Sequence, residues 1–397
     1  MKVYGGAERM KDIFQKDGEY IAHTYGRFPV ALERGRGALL EDSDGKRYID
    51  LGSGIAVNIF GMCDAAWENA VIEQIRTLQH ASNLYYTEPC VKLAELLCTK
   101  TGMKKVFFSN SGAEANECAI KAARLYSYQK YGEGRHTIIT LKNSFHGRTV
   151  TTLSATGQDA FHTKFGPFTE GFVYCAPDDP EELKRLIRQH RCCAVMFELV
   201  QGEGGIHVLS KDFVKTIESL AAENDLLMIA DEVQTGNGRT GTLYAYMQYG
   251  ILPDIVTTAK GIGGGLPLGV TMLGEKMQDV FTPGTHGSTF GGNPVCCAGA
   301  YSILSRIDEP LLASVREKGA WIRNALQGAK GVKSVTGLGL MLGIETERPA
   351  AEVIKDAMER GVLVLSAKTK VRLLPPLNIK EEELREAIGI LKEVIAK

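Results

Sequence analysis

Between residues 104 and 275, seven short apolar runs alternate with longer amphipathic stretches, and this alternation restricts the possible folds more than any other feature of the chain. The runs are VFF (106–108), TIIT (137–140), FVYC (172–175), CAVMFEL (193–199), LLMIA (226–230), DIVTTA (254–259) and LGVTML (268–273). Helical patterns such as AEANECAIKAARLYSYQK (113–130) and FVKTIESLAAEND (213–225) separate them. Such alternation builds βαβ units around a mainly parallel sheet, and the brevity of the runs suits strands buried on both faces. The chain ends read differently. Residues 1–50 carry a hairpin-like turn in LEDSDGKRYID, and 292–397 read as helices, short strands and a terminal amphipathic helix, EEELREAIGILKEVIA. The expectation is a large α/β domain over 51–291, with a seven-stranded, mainly parallel sheet between helices. A smaller α+β domain is expected from 1–50 and 292–397.

Charge narrows the partners. Forty-six Lys and Arg against 47 Asp and Glu leave a net charge of −1 in 397 residues, so no overall field recruits nucleic acid or an anionic membrane. Small molecules and a second copy of the chain are the expected partners. The first twenty residues scatter charges and hold no apolar signal core, and no run approaches about 18 apolar residues, so a cytoplasmic location is expected. Nine cysteines form no CxxC and read as reduced, mostly buried thiols. With no HExxH and no Cys/His cluster, no metal is expected.

Three stretches carry chemistry. In FFSNSGAEANECAIK (107–121) a strand ends in Ser-Asn-Ser-Gly, and Ser111 to Glu114 has capping-box spacing. The stretch is either a well-capped crossover helix or a phosphate cup in which Gly112 and Ala113 let an anion approach free N–H groups. In LLMIADEVQTGNGRTG (226–241) an apolar run meets Asp231 at a strand end, where α/β sheets bind ligands. That carboxylate either caps a turn or awaits a cation. In TTAKGIGGGLPLG (257–269) Lys260 precedes its glycines, whereas a P-loop lysine follows them. It is either a snorkelling lysine or a desolvated, nucleophilic amine, with Gly261, Gly263, Gly264 and Gly265 leaving room beside it. Together the three supply partners for the phosphate, ring nitrogen and aldehyde of pyridoxal 5'-phosphate. A phosphate-ligand binding protein without turnover is the reading from another class, and it leaves Lys260 without a use.

SNSGAEANE, SFHGRT, QGEGG, ADEVQTGNGRTG, TTAKGIGGGLPLG and STFGGNP stand in the order and spacing of the class III (subgroup II) pyridoxal-phosphate-dependent aminotransferases, and the resemblance runs from about Tyr25 to the C-terminus. It implies the fold type I architecture of pyridoxal-phosphate transferases. It also implies that Lys260 is the catalytic lysine that links to the cofactor, and that Gly112, Ala113, Phe145, Asp231, Glu232, Val233 and Gln234 bind the cofactor. Phe145 would stack on its face, and Gln234 would lie near the ring hydroxyl. Thr289 would reach the cofactor phosphate of the other subunit of a homodimer. Arg148, with Ser288 nearby, resembles the clamp for the donor carboxylate. Arg372 of KVRLLPPL resembles the clamp for 2-oxoglutarate, and Glu203 the acidic gate that pairs with it.

Within the family the chain is similar to the acetylornithine/ornithine branch. That branch implies transfer of a terminal amino group to 2-oxoglutarate, a step of arginine biosynthesis when the donor is N2-acetyl-L-ornithine. Ile55 stands in DLGSGIAVN where ornithine-using members tend to carry tyrosine, and an apolar residue tolerates an acylated nitrogen better than a free ammonium. Ornithine, succinylornithine, succinyldiaminopimelate and 4-aminobutyrate are the other donors this class takes. Met62-Cys63-Asp64-Ala65 departs from the Gly-His-x-His-Pro usual there, and bears on local loop geometry rather than on the chemistry.

Overall fold

The computed structural model describes the backbone of residues 6–397 and the side chains from Met10 onward, so residues 1–5 of the expected segment 1–50 lie outside the described residues. Its central sheet has seven strands: β1 (Lys105–Ser109), β2 (Thr137–Leu141), β3 (Phe172–Cys175), β4 (Cys192–Phe197), β5 (Leu227–Asp231), β6 (Ile255–Thr258) and β7 (Gly269–Leu273). They lie in the order β1-β7-β6-β5-β4-β2-β3. Only β7 runs antiparallel to its neighbours, so the carboxyl ends of the other six share one edge.

Burial on both faces follows the two-residue period of a strand. Val195 and Phe197 of β4, with Met228 and Ala230 of β5, join one apolar core, and Phe213, Val214 and Ile217 of the helix Lys211–Asn224 pack into it. Ala194, Met196, Leu227 and Ile229 face the opposite core, built with Ala119, Ile120 and Ala123 of the helix Gly112–Tyr131. The alanines of that helix let it sit close to the sheet, and Gly132, with φ +72°, ends it.

The N-terminal turn DSDGK closes a hairpin between Leu39–Asp42 and Arg47–Asp50, where the Asp42 carboxylate accepts from the amides of Asp44 and Lys46 at 3.0 Å. Arg47–Asp50 also pairs in parallel with Val362–Leu363, so the two chain ends share a sheet. A helix, Gly6–Tyr20, precedes the hairpin; the sequence reading found only turns in this part of the chain. Four antiparallel strands form a further sheet, ordered Val332–Leu338, Met341–Thr346, Lys370–Leu373 and Leu365–Ala367. The helix Pro294–Ser305, from the C-terminal portion, packs against Ala65–Thr77 and Glu88–Thr101.

The atypical Met62–Ala65 stretch leads into a helix. Asp64 caps Ala65–Thr77, accepting from the Trp67 amide at 3.0 Å, and pairs with Arg306 at 2.6 Å. All nine cysteines are unpaired thiols, and six are buried. Among the described residues no helix is long and apolar enough to cross a membrane, and no three His, Cys, Asp or Glu side chains gather as a metal site.

Candidate active site

The shared carboxyl edge of the sheet opens into a cavity of about 500 Å³. The loop after β1 contributes the start of the helix Gly112–Tyr131. Ser111 Oγ accepts from the Glu114 amide at 3.1 Å, and Glu114 accepts from the Asn110 amide at 2.7 Å. Helix geometry leaves the amides of Gly112 and Ala113 without an internal acceptor, and both residues line the cavity. A methyl group on Gly112 would approach Val233 to 2.7 Å, so this wall tolerates no side chain.

Asp231 ends β5, 3% exposed. Its Oδ2 accepts from Asn116 Nδ2 at 2.8 Å and pairs with His146 Nδ1 at 2.7 Å; its Oδ1 accepts from the Val233 amide at 3.0 Å. Thr257 donates to Asn116 Oδ1 at 2.7 Å, which turns the amide NH₂ toward Asp231. The carboxylate is thus fixed in orientation at the cavity floor.

Lys260 follows β6 in a left-handed backbone conformation, φ +48°, a strained state for a side chain of this kind. Asn237 holds the preceding residues, donating to Thr258 Oγ1 at 3.0 Å and to the Ala259 carbonyl at 3.3 Å. Burial lowers the Lys260 ammonium below its ordinary pKa, against the pull of Glu203 and Asp231.

Arg372 lies on Lys370–Leu373, 3% exposed, beside the cavity. Its Nη1 donates to Glu203 Oε1 at 2.5 Å and to Gln234 Oε1 at 3.1 Å, and its Nε has no partner among the described residues. Glu203 sits in the tip of a hairpin formed by Val200–Gln201 and His207–Val208. Burial would raise its pKa, but Arg372, with Lys260 and Gln234, outweighs burial and holds the carboxyl below the usual range. Arg148 lies at the mouth, its guanidinium 5.8 Å from the Phe145 ring centre and 5.0 Å from that of Phe161. It has no ion pair among the described residues.

The sequence profile described as "Aminotransferase class-III" matches residues 20–395. The chain belongs to the class-III aminotransferases. The acetylornithine aminotransferase of Haemophilus ducreyi is 49% identical over 387 residues, 97% of this chain and 98% of that protein. Among solved structures, the ornithine aminotransferase of Toxoplasma gondii ME49 superposes with a TM-score of 0.93 at 30% identity, covering 97% of this chain and 94% of that one. The N-acetylornithine aminotransferase of Stenotrophomonas maltophilia K279a superposes with a TM-score of 0.84 at 34% identity, covering 96% and 98%.

Class-III aminotransferases use pyridoxal phosphate, and this chain's residues fit it. The open amides at Gly112 and Ala113 suit a phosphate, the bare Gly112 wall admits it, and the buried Asp231 suits a cationic ring nitrogen. Phe145, Arg148, Val233, Gln234 and Lys260 line the same cavity. Five sequence-predicted residues lie outside its lining: Arg372, which stands beside it, and Glu232, Ser288, Thr289 and Glu203. The Glu232 carboxylate turns away, accepting from Thr235 Oγ1 at 2.5 Å and the Tyr246 amide at 2.8 Å. Ser288 Oγ bonds Asn110 Nδ2 at 3.3 Å and the Gly291 amide at 2.9 Å rather than meeting Arg148. Thr289 is exposed, and Glu203 reaches the lining only through Gln234. The glycines after Lys260 mostly serve packing. A methyl on Gly261 would strike Ile59 and one on Gly263 the Leu266 carbonyl, while Gly265 alone of the four borders the cavity.

Sequence reasoning assigned nothing to Asn116, His146, Glu198 or Asn237. Asn116, His146 and Asn237 lie inside quoted motifs, but their use depends on segments far apart meeting, the first two at Asp231 and the third at the backbone before Lys260. Glu198 had a legible signal, a lone charge closing an apolar run, the same signal that singled out Asp231.

Proposed function

We propose that this chain transfers the terminal amino group of N2-acetyl-L-ornithine to 2-oxoglutarate, giving N-acetyl-L-glutamate 5-semialdehyde and L-glutamate, as a cytoplasmic pyridoxal-phosphate-dependent homodimer. The observation that carries the reading is the convergence of Lys260, Asp231 and the helix start at Gly112 on one cavity, with the Arg372–Glu203 pair beside it. Identity to proteins named acetylornithine aminotransferase supports the donor, as does Ile55, an exposed apolar side chain.

Bound pyridoxal phosphate supplies an electron sink that acidifies the C–H bond beside the reacting nitrogen. Lys260 is the covalent anchor and then the proton carrier, and its depressed pKa leaves more free amine at neutral pH than an ordinary lysine has. Asp231, held by His146 and Asn116, would keep the ring nitrogen of the bound cofactor protonated. Phe145 and Val233, which line the cavity, would hold the ring of the bound cofactor, and Gln234 would meet its hydroxyl. Arg148 binds the donor's α-carboxylate bidentately, which presents the far amine to the reacting carbon. Glu203 neutralises Arg372 while the donor is bound and yields it to the second carboxylate of 2-oxoglutarate.

Ser288 and Thr289 serve a dimer in which Thr289 reaches the partner's cofactor phosphate. Leu84, Tyr85, Tyr86 and Phe290 are exposed in the single chain, an apolar surface suited to a second copy. Residues 51–291 act as the cofactor-binding domain and 1–50 with 292–397 as the smaller one, a division supported by the shared Arg47–Asp50/Val362–Leu363 pairing.

The test is a panel of acetylornithine, ornithine, succinylornithine, succinyldiaminopimelate and 4-aminobutyrate with 2-oxoglutarate. Acetylornithine is expected to lead ornithine in kcat/KM by about tenfold or more, since a site shaped for an acylated nitrogen leaves a free ammonium poorly solvated. A preference for ornithine rejects the donor assignment.

A further inference from the structure

One buried carboxylate in the cavity wall has no role in the reaction outlined above. Glu198, the first residue after β4, is 5% exposed and lines the cavity. Among the described residues it forms no salt bridge. Its two oxygens serve two different loops: Oε1 accepts from the Phe145 amide at 2.9 Å, and Oε2 accepts from the Gly202 amide at 3.2 Å. The first loop carries the aromatic wall, His146 and Arg148. The second starts the hairpin tip whose next residue, Glu203, is gripped by Arg372.

Burial, reinforced by Asp231 and opposed by His146 and the Phe145 and Gly202 amides, pushes the Glu198 pKa up to about 7. A glutamine has the same shape and no charge, yet it has one acceptor oxygen, and its NH₂ would face an N–H donor. Only a carboxylate satisfies both amides at this spacing. The requirement for two acceptors accounts for an acid at this position.

We propose that Glu198 is a positioning residue that brackets the gate hairpin to the Phe145 loop, so that release of Glu203 from Arg372 is transmitted to the wall that covers the cofactor. The inference rests on the gate reading given under Proposed function. When Glu203 leaves Arg372, the backbone at Gly202 shifts, and the shared carboxylate carries that shift to the Phe145 amide.

The test compares wild type, Glu198→Gln, Glu203→Ala and the double variant by hydrogen-exchange mass spectrometry on the full chain, with and without bound pyridoxal phosphate. In the Glu198 background, Glu203→Ala is expected to speed exchange in the peptide containing Phe145 by about tenfold, the scale of one hydrogen bond to a charged acceptor. In the Glu198→Gln background the same change at 203 is expected to leave that peptide unaltered. An effect of equal size in both backgrounds, or in neither, overturns the bracket. Single-turnover absorbance supplies the second readout: Glu198→Gln should change the ratio of the two half-reaction rates by about fivefold or more, whereas equal slowing of both halves indicates a merely structural residue and also overturns it. Because exchange in the unloaded protein needs no turnover, failure there with a donor half-reaction still selectively impaired by Glu203→Ala rejects the bracket and leaves the aminotransferase reading standing. Failure of every donor to turn over rejects that reading instead.

Discussion

Lys260 carries two unfavourable features in one residue, a left-handed backbone and a desolvated ammonium. Strain of this kind costs about 1–3 kcal/mol and persists where surrounding structure enforces it; here Asn237 holds the two residues before Lys260, and the Gly263 amide donates to the Lys260 carbonyl. Lys260→Ala is expected to abolish the borohydride-trappable link to pyridoxal phosphate and to slow turnover by about 10³-fold or more, given the size of general-base effects. Mass spectrometry after borohydride checks the link, and single-turnover absorbance checks the rate. Glu232 illustrates a buried acid with a structural effect. Burial raises its pKa from 4.5 to about 7, partly countered by Thr235 and the Ala245 and Tyr246 amides and reinforced by Asp231. Below pH 4.5 both folded and unfolded chains hold the proton. As pH rises toward 7 the unfolded chain releases it first, so folding stability falls across that window, by about 3 kcal/mol for this group. Glu232→Gln should therefore lose less stability than wild type between pH 5 and pH 8, as measured by urea unfolding of the unloaded protein. Parallel curves would show that Glu232 is already ionised near pH 5.

At the scale of elements, strand ends and helix starts decide where chemistry can occur. The helix Gly112–Tyr131 offers its first amides to the cavity because Ser111 and Glu114 cap each other's neighbourhood and Gly112 leaves Val233 in place. Gly112→Ala forces a 2.7 Å contact on Val233. It should weaken pyridoxal phosphate binding by about tenfold, the usual effect of about 1–3 kcal/mol for overpacking, with little change in helix content by circular dichroism. Unchanged affinity in equilibrium dialysis would show that Val233 relaxes freely. The capped helix and the strand before it were legible from local spacing. VRLLPP was legible as a short strand too, but not the inward orientation of Arg372, because KVRLLPPL has no period that orients an arginine inward; its partners Glu203 and Gln234 come from two other loops.

For the whole molecule, the apolar residues left in water in one chain carry the argument. Tyr86 is 99% exposed and Leu84 87% exposed, more than a monomer would keep in water without reason. If they cover a partner, Tyr86→Glu should shift sedimentation toward the monomer, and pyridoxal phosphate affinity should fall with it, because Thr289 then loses its target. A dimer that persists with normal affinity would move the interface elsewhere. The Asp64 cap is a second feature visible only at this scale. A departure in MCDA that reads as an altered loop proves to close a helix against Arg306, a partner more than two hundred residues away.

The sequence by itself determined the seven strands, their helices and the three stretches that meet at the cavity, because buried strands, capped helices and charges at the ends of apolar runs leave local, periodic traces. It also determined the family, through six motifs in register. Tertiary structure alone decided how those motifs are used. It turned Glu232 away from the cavity, added Gln234 to the Arg372–Glu203 pair, gave most of the glycines after Lys260 to packing, and set Asn116, His146, Asn237 and Glu198 around Asp231, Lys260 and the Phe145 loop. Each of these depends on hydrogen bonds between segments distant in the chain, and no local pattern records which distant donor a buried oxygen will meet.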